Sequence, residues 1–175
     1  MPFTPFHLGP GLGLGLALRK YLHAPTFILA NVIVDIEPFL ALLFGLNYPL
    51  HGHLHTFLLA SFIGLSFSYV MYFLERFLHP IYKIFLLETS SSRSLKSFVV
   101  VGVLGCWLHV ILDAPLYGDI KPLYPITANP FYNPELTPTI YSLCVCLGAF
   151  GMIYYLGLVG VAAYKTVKKR VRQSK

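Results

Sequence analysis

Charge is what this chain has least of. Only 11% of its 175 residues are Asp, Glu, Lys or Arg, and only seven of those are acidic. A soluble domain carries about 25% charged residues, because its surface faces water. Here 56% of residues are hydrophobic and the mean hydropathy is +0.67. Such a chain cannot clothe a water-facing surface. Disorder, collagen, coiled coil and an ordinary cytosolic enzyme are excluded, and an integral membrane protein is left. Cysteine is also scarce. The three, Cys106, Cys144 and Cys146, lie in apolar runs. An odd count without loop spacing excludes a disulfide framework. The N-terminus has no basic n-region, and its first apolar run ends in Arg19-Lys20, so no signal peptide is expected.

The charge that is present is unevenly placed. Thirteen Lys and Arg against seven Asp and Glu give +6, and six of the thirteen lie in the last eleven residues. Without that tail the remainder is neutral. The basic balance therefore describes a tail and not a nucleic-acid-binding face. A basic flank after an apolar run reads as a cytoplasmic stop-transfer segment, and it also suits anionic lipid.

A membrane span needs about 20 mostly apolar residues. Residues 139–164, 55–74 and 97–116 qualify, as does 25–46, which contains Asn31, Asp35, Glu37 and Pro38. Residues 8–18 are too short to span alone. Their glycines form two small-xxx-small pairs, Gly9/Gly13 and Gly11/Gly15, suited to close helix packing in lipid. A nucleotide-binding glycine loop would need a flanking strand, and none is expected. The expected fold is all-α: a polytopic integral membrane helix bundle with four spans plus a shorter N-terminal helix. Residues 1–164 form one transmembrane domain and 165–175 a basic cytoplasmic tail. With that tail inside, the 75–96 connection (Arg76, Lys83, Arg93, Lys96) and Arg19-Lys20 also fall inside, so one orientation in the cell membrane meets the positive-inside rule three times. Residues 76–87 read as an amphipathic segment on the inner surface and 89–97 as a polar loop. Six prolines within 115–138 make that stretch an irregular outer loop.

Ionisable groups inside apolar runs are the informative residues, because each costs roughly 2.5–3.5 kcal/mol on insertion scales when charged at a helix centre. Asp35, Glu37 and Asp113 carry that cost. His109 and Asp113 are four apart and share a helix face, where they can bind one ion together. His51, His53 and His55 form a second cluster. His51 and His55 share a face if the helix starts early, and His53 then points away. His7 opens the first apolar run. In the topology above, His7, His51–His55 and His109/Asp113 lie toward the outer side, with Asp35 and Glu37 mid-membrane in a helix opened at Pro38. His23 and His79 fall on the inner side and are set aside. Mixed His and carboxylate ligands suit zinc or a similar divalent ion.

The same residues carry a family resemblance. The order Thr4-Pro-Phe-His7, Val34-Asp35-Ile-Glu37, His51-Gly-His-Leu-His55-Thr56, His109-Val-Ile-Leu-Asp113, then Gly118 and Pro122-Leu-Tyr-Pro125 resembles the membrane-bound metal-dependent hydrolases, the LexA-regulated inner-membrane group. The resemblance spans residues 1 to about 125. That family has an N-terminal His, Pro-Asp-x-Asp, His-Arg-Gly-x-x-His-Ser and His-x-x-x-Asp. Here Val34 stands for the family proline and Glu37 for its second aspartate. Aligned on Gly52, His55 and Thr56, the family's first His falls on Leu50 and its Arg on His51.

Together these features point to a hydrolase in the membrane, acting on an ester or phosphoester through a metal-activated water. A lipid-like substrate is expected from the site's position near the headgroups. The expected ligands are His7, Asp35, His55, His109 and Asp113, lining one cavity, with His51 a further candidate. Glu37 is expected as a ligand or general base at the cavity edge. A metal or proton transporter, and a scaffold whose polar residues are interhelical hydrogen bonds, are the alternatives.

Overall fold

A computed structural model describes residues 5–47, 49–88 and 94–173. All regular structure among the described residues is helical. Six α-helices run in order: α1 (Leu8–Ala17), α2 (Ala24–Ile33), α3 (Ile36–Leu43), α4 (Phe57–Ile84), α5 (Leu95–Asp113) and α6 (Thr137–Gln173). Single 3-10 turns precede α1, α4 and α6. Helices α4, α5 and α6 are long and apolar enough to cross a membrane, and α2 with α3 makes a fourth if that bent pair is one span.

The surface and interior are inverted relative to a water-soluble domain. Phe62, Phe73, Phe77, Ile153 and Leu156 are among many large exposed apolar side chains. The buried polar set includes His7, Asn31, Asp35, His55, His109 and Asp113. A lipid solvent favours this arrangement, because it solvates apolar side chains and leaves polar ones to pair internally.

Helix α5 is central. It packs against α4 on one side and α2 on another, while α1 lies between α2 and α6. Small residues set these distances. A Cβ on Gly105 would come 2.7 Å from that of Ala30, and one on Gly13 would come 2.5 Å from the Leu147 carbonyl oxygen. The two small-xxx-small pairs of α1 serve different neighbours. Gly9 and Gly13 face α6, whereas Gly11 and Gly15 face Ile28 of α2. At 10 residues α1 rises about 15 Å, half a hydrocarbon core.

Two expectations need correction. Residues 76–84 are not a separate surface segment but the continuation of α4, with Pro80 inside it. Membrane helices tolerate such a proline better than soluble ones do. Residues 95–97 are the first turn of α5, capped by Ser94 Oγ, which accepts from Ser97 N at 3.2 Å; the rest of the expected polar loop falls largely outside the described residues. Helix α6 runs unbroken through Gln173, so the described part of the basic tail is helical.

The opening in the second span lies one turn before Pro38. Helices α2 and α3 meet at 43° across Val34 and Asp35. Proline lacks an N–H and its ring crowds the carbonyl four residues back, here Val34. The chain tightens instead, and Asp35 N donates to Val32 O at 3.0 Å. The carbonyl of Asn31, four before Asp35, is thereby released from the helical ladder.

Candidate metal centre

That released carbonyl is taken by His109. His109 Nδ1 lies 2.9 Å from Asn31 O. A carbonyl can only accept, so Nδ1 carries the proton and Nε2 faces the other way. His55 is fixed similarly. Its Nδ1 lies 3.2 Å from Glu37 Oε2, which also accepts from Leu54 N at 3.0 Å. The two Nε2 atoms then meet 3.4 Å apart. Thr56 supports this placement by capping α4: its Oγ1 accepts from Leu59 N at 3.1 Å. The outer loop closes over the same end, with Phe57 N donating to Pro122 O at 2.9 Å.

Two carboxylates complete the group. His109 Nε2 is 3.4 Å from Asp35 Oδ1 and 3.3 Å from Asp113 Oδ2. His55 Nε2 is 3.8 Å from each of the same two oxygens. One ligand atom from each of Asp35, His55, His109 and Asp113 lies within 4.8 Å of all the others, and all four residues are buried. Four ligands at 2.0–2.1 Å in a tetrahedron stand about 3.3–3.4 Å apart. The three distances to His109 Nε2 match that edge and the His55 distances exceed it slightly. With both Nδ1 atoms protonated, two imidazole lone pairs and two carboxylate oxygens converge on one point away from water. Such a set needs a positive charge at its centre, supplied by protons or by a metal ion. The residues fit a divalent ion: the donors are mixed nitrogen and oxygen, and both histidines are oriented by acceptors behind them, as metal-ligating histidines usually are. The four could hold such an ion.

The remaining candidates lie around these four. His7 is buried, but its Nε2 is 3.0 Å from Asp113 Oδ1, the carboxylate oxygen turned away from the cluster. Its ring stacks on His109 with centroids 3.9 Å apart. The structure therefore places His7 behind Asp113, not among the four ligand atoms. The reason is local: Asn31 Nδ2 donates to His7 O at 2.5 Å and anchors the turn before α1. Glu37 likewise sits behind His55, on the ring nitrogen that faces away from the other three. His51 is buried beside the cluster, edge-on to His55 at 5.0 Å and stacked on Tyr117 at 4.0 Å. Its Nδ1 is 3.2 Å from Asp119. Burial, with His55 adjacent, lowers its pKa against the pull of Asp119 and Asp113. His53 is exposed and turned toward Tyr124.

Sequence reasoning missed two contributors. The Asn31 backbone carbonyl has no side-chain signature, although Pro38 seven residues later marks the break that frees it. Asp119 lies in the proline-rich loop, where nothing links it to His51. Asp35 Oδ2 and His7 Nδ1 are buried without a hydrogen-bond partner among the described residues. No family model, curated protein or solved structure matches this chain.

Proposed function

We propose that this protein is a membrane-embedded hydrolase that uses one divalent ion, zinc by donor type, held by Asp35, His55, His109 and Asp113. The observation that carries the reading is the opposed pair of Nε2 atoms, each aimed inward by an acceptor at Nδ1. When bound there, such an ion lowers the pKa of a coordinated water to about 7 and polarises a phosphoryl or acyl oxygen. The chain's own residues orient, buffer and enclose. Glu37 and the Asn31 carbonyl hold the two imidazoles in one tautomer. His7 neutralises the outer oxygen of Asp113 by hydrogen bonding. We assign the general-base role to Asp35 Oδ2, which is buried without a hydrogen-bond partner among the described residues, in preference to Glu37, whose Oε2 is engaged by His55 and Leu54. The substrate class is an ester or phosphoester, with lipid-like chemistry suggested by the position of the site near one end of the bundle. The order of His and carboxylate motifs, and their resemblance to membrane-bound metal-dependent hydrolases, supports the same reading.

The broken α2/α3 pair and helices α4, α5 and α6 are read as four spans, with the C-terminus cytoplasmic because basic residues gather there. A thiol introduced as Arg170→Cys should react with an impermeant reagent only after the membrane is opened; reaction in intact cells reverses the orientation.

One observation favours a second reading. Four protein ligands fill a tetrahedral zinc, and closed sites of that kind are structural. An ion here would then clamp α2, α3, α4 and α5 together without chemistry. Metal analysis of detergent-purified protein, with release of p-nitrophenol from phosphoester and carboxylic ester probes, separates the two. Hydrolysis that follows metal content supports the enzyme. Stoichiometric metal with no turnover, and a large loss of thermal stability on chelation, supports the clamp.

A further inference from the structure

A recess of about 560 Å³ lies at the opposite end of the bundle from the His/Asp cluster. His7 immediately precedes α1 and Arg19 follows it, while Thr56 caps the start of α4 and Lys83 lies in its last turn, so both helices carry the cluster at their first end and the recess at their last. Along α4 that separation is about 40 Å, the width of a bilayer with its headgroups. Arg19 from the turn after α1, Lys83 from α4 and Lys165 from α6 converge on the recess. Among the described residues Glu88 is the single acidic one in the lining, and its Oε1 lies 3.6 Å from His79 Nε2. The lining therefore carries three cations against one carboxylate that is itself engaged.

The backbone is shaped to bring them together. Helix α4 ends with Leu87 N donating to Tyr82 O at 2.8 Å and Leu86 N to Lys83 O at 3.2 Å. That is a Schellman closure, whose left-handed residue is usually glycine. Here it is Leu86, with φ 57°. That conformation brings an L residue's Cβ close to the following carbonyl oxygen and is disfavoured. The arrangement turns the Leu86 carbonyl onto Arg19, whose Nη1 donates to it at 3.0 Å. One guanidinium donor is spent holding the arginine in place and the others remain for a ligand.

Below the cations the lining is apolar. Leu158, Val161 and Ala162 occupy the two turns of α6 before Lys165. A cationic rim above an apolar track matches a phosphate headgroup above an acyl chain. We propose that this recess binds the headgroup phosphate of an anionic phospholipid, with Arg19 and Lys83 on the phosphate, Lys165 closing the rim and an acyl chain along α6. The assignment rests on the chain spanning a membrane and not on the metal centre.

Native mass spectrometry of the full-length protein in detergent tests it, with phosphatidylglycerol, phosphatidylcholine and inorganic phosphate as probes. Wild type should retain phosphatidylglycerol in preference to phosphatidylcholine. A Lys83→Gln/Lys165→Gln double variant should weaken retention by on the order of thirtyfold, the combined effect of two interfacial lysines. Each single change should lose several-fold, so the test does not hinge on the double variant folding. Lys168→Gln/Lys169→Gln removes the same charge farther along α6 and should stay within about twofold of wild type. Asp113→Asn should keep its lipid, which separates failure here from failure of the metal reading. Equal losses in both double variants would mean diffuse attraction by the tail, and would overturn the site. So would equal retention of the two lipids, or displacement of phosphatidylglycerol by millimolar inorganic phosphate, which would mark a free-anion site.

Discussion

Each end of the bundle buries histidine against carboxylate, yet the two ends do opposite things with the proton. At the cluster end, His109 Nδ1 faces a carbonyl and His55 Nδ1 a carboxylate. Both rings must donate from Nδ1, and their Nε2 atoms are left facing each other and two more acceptors. At the far end His23 caps α2, and its Nδ1 accepts from Thr26 N at 3.4 Å. A backbone N–H can only donate, so that Nδ1 is unprotonated and the proton sits on Nε2. There it meets Glu75 Oε2 at 3.0 Å. His79 approaches the other Glu75 oxygen at 3.5 Å. The far end sets one carboxylate between two histidines, walled by Phe98 and Tyr82, and it needs no added cation. The cluster end is a set of acceptors that does. Residue type is the same in both places. What separates them is whether an acceptor or a donor stands behind the ring.

The largest expected effect breaks the two ends apart. Asp113→Asn should reduce bound metal to background, since it removes a charged ligand shared by His7, His55 and His109. Glu75→Ala should leave the metal-to-protein ratio unchanged and instead cost about 1–3 kcal/mol of stability, the penalty for stranding the His23 donor in the interior. Elemental analysis and thermal melts of the two purified variants read both numbers. Metal lost from Glu75→Ala, or retained by Asp113→Asn, would collapse the distinction between the ends.

A smaller effect sharpens the tautomer argument. Glu37→Gln keeps the shape of the side chain but removes the charge behind His55. Metal affinity should fall by roughly 10–100-fold, as is typical when an orienting partner of a ligating histidine is changed. Competition with a chelating dye measures it. No change would mean that Glu37 only holds Leu54 N and that His55 is positioned by packing alone.

How much of this could be read in advance varies with the physics involved. His109 and Asp113 were legible because four residues on a helix always share a face. Asp35 stood out because an acid in an apolar run needs a reason. The all-helical character and the three helices long enough to span followed from length and hydropathy. The position of the break did not, because the proline acts on the carbonyl four residues before it and not on its own position. His23 and Glu75 stand 52 residues apart with no local pattern, so the far-end pair appears only once α2 and α4 pack. The extension of α4 through Pro80 was hidden by a residue that ends most soluble helices. The role of Asn31 lies in its backbone, which no side-chain pattern reports.

The smallest expected effects concern the two neighbouring histidines of the 51–55 stretch, which sequence spacing alone separates poorly. His51 is buried, is held by Asp119 and lies edge-on against His55, whereas His53 is exposed. Loss of His51 therefore removes a packing and hydrogen-bonding neighbour of a ligand, and loss of His53 removes neither. His51→Gln should weaken metal binding by less than the roughly 10–100-fold expected of Glu37→Gln, because His51 touches the ring of His55 and not its Nδ1 proton. His53→Gln should leave metal content unaltered and stability within about 0.5 kcal/mol, as exposed substitutions usually do. The informative failure is His51→Gln matching Asp113→Asn. That result would make His51 a ligand in the working protein and bring the Asp119 loop into the centre. The cluster end would then owe its chemistry to five residues, and its contrast with the far end would lie in ligand number as well as in the tautomer.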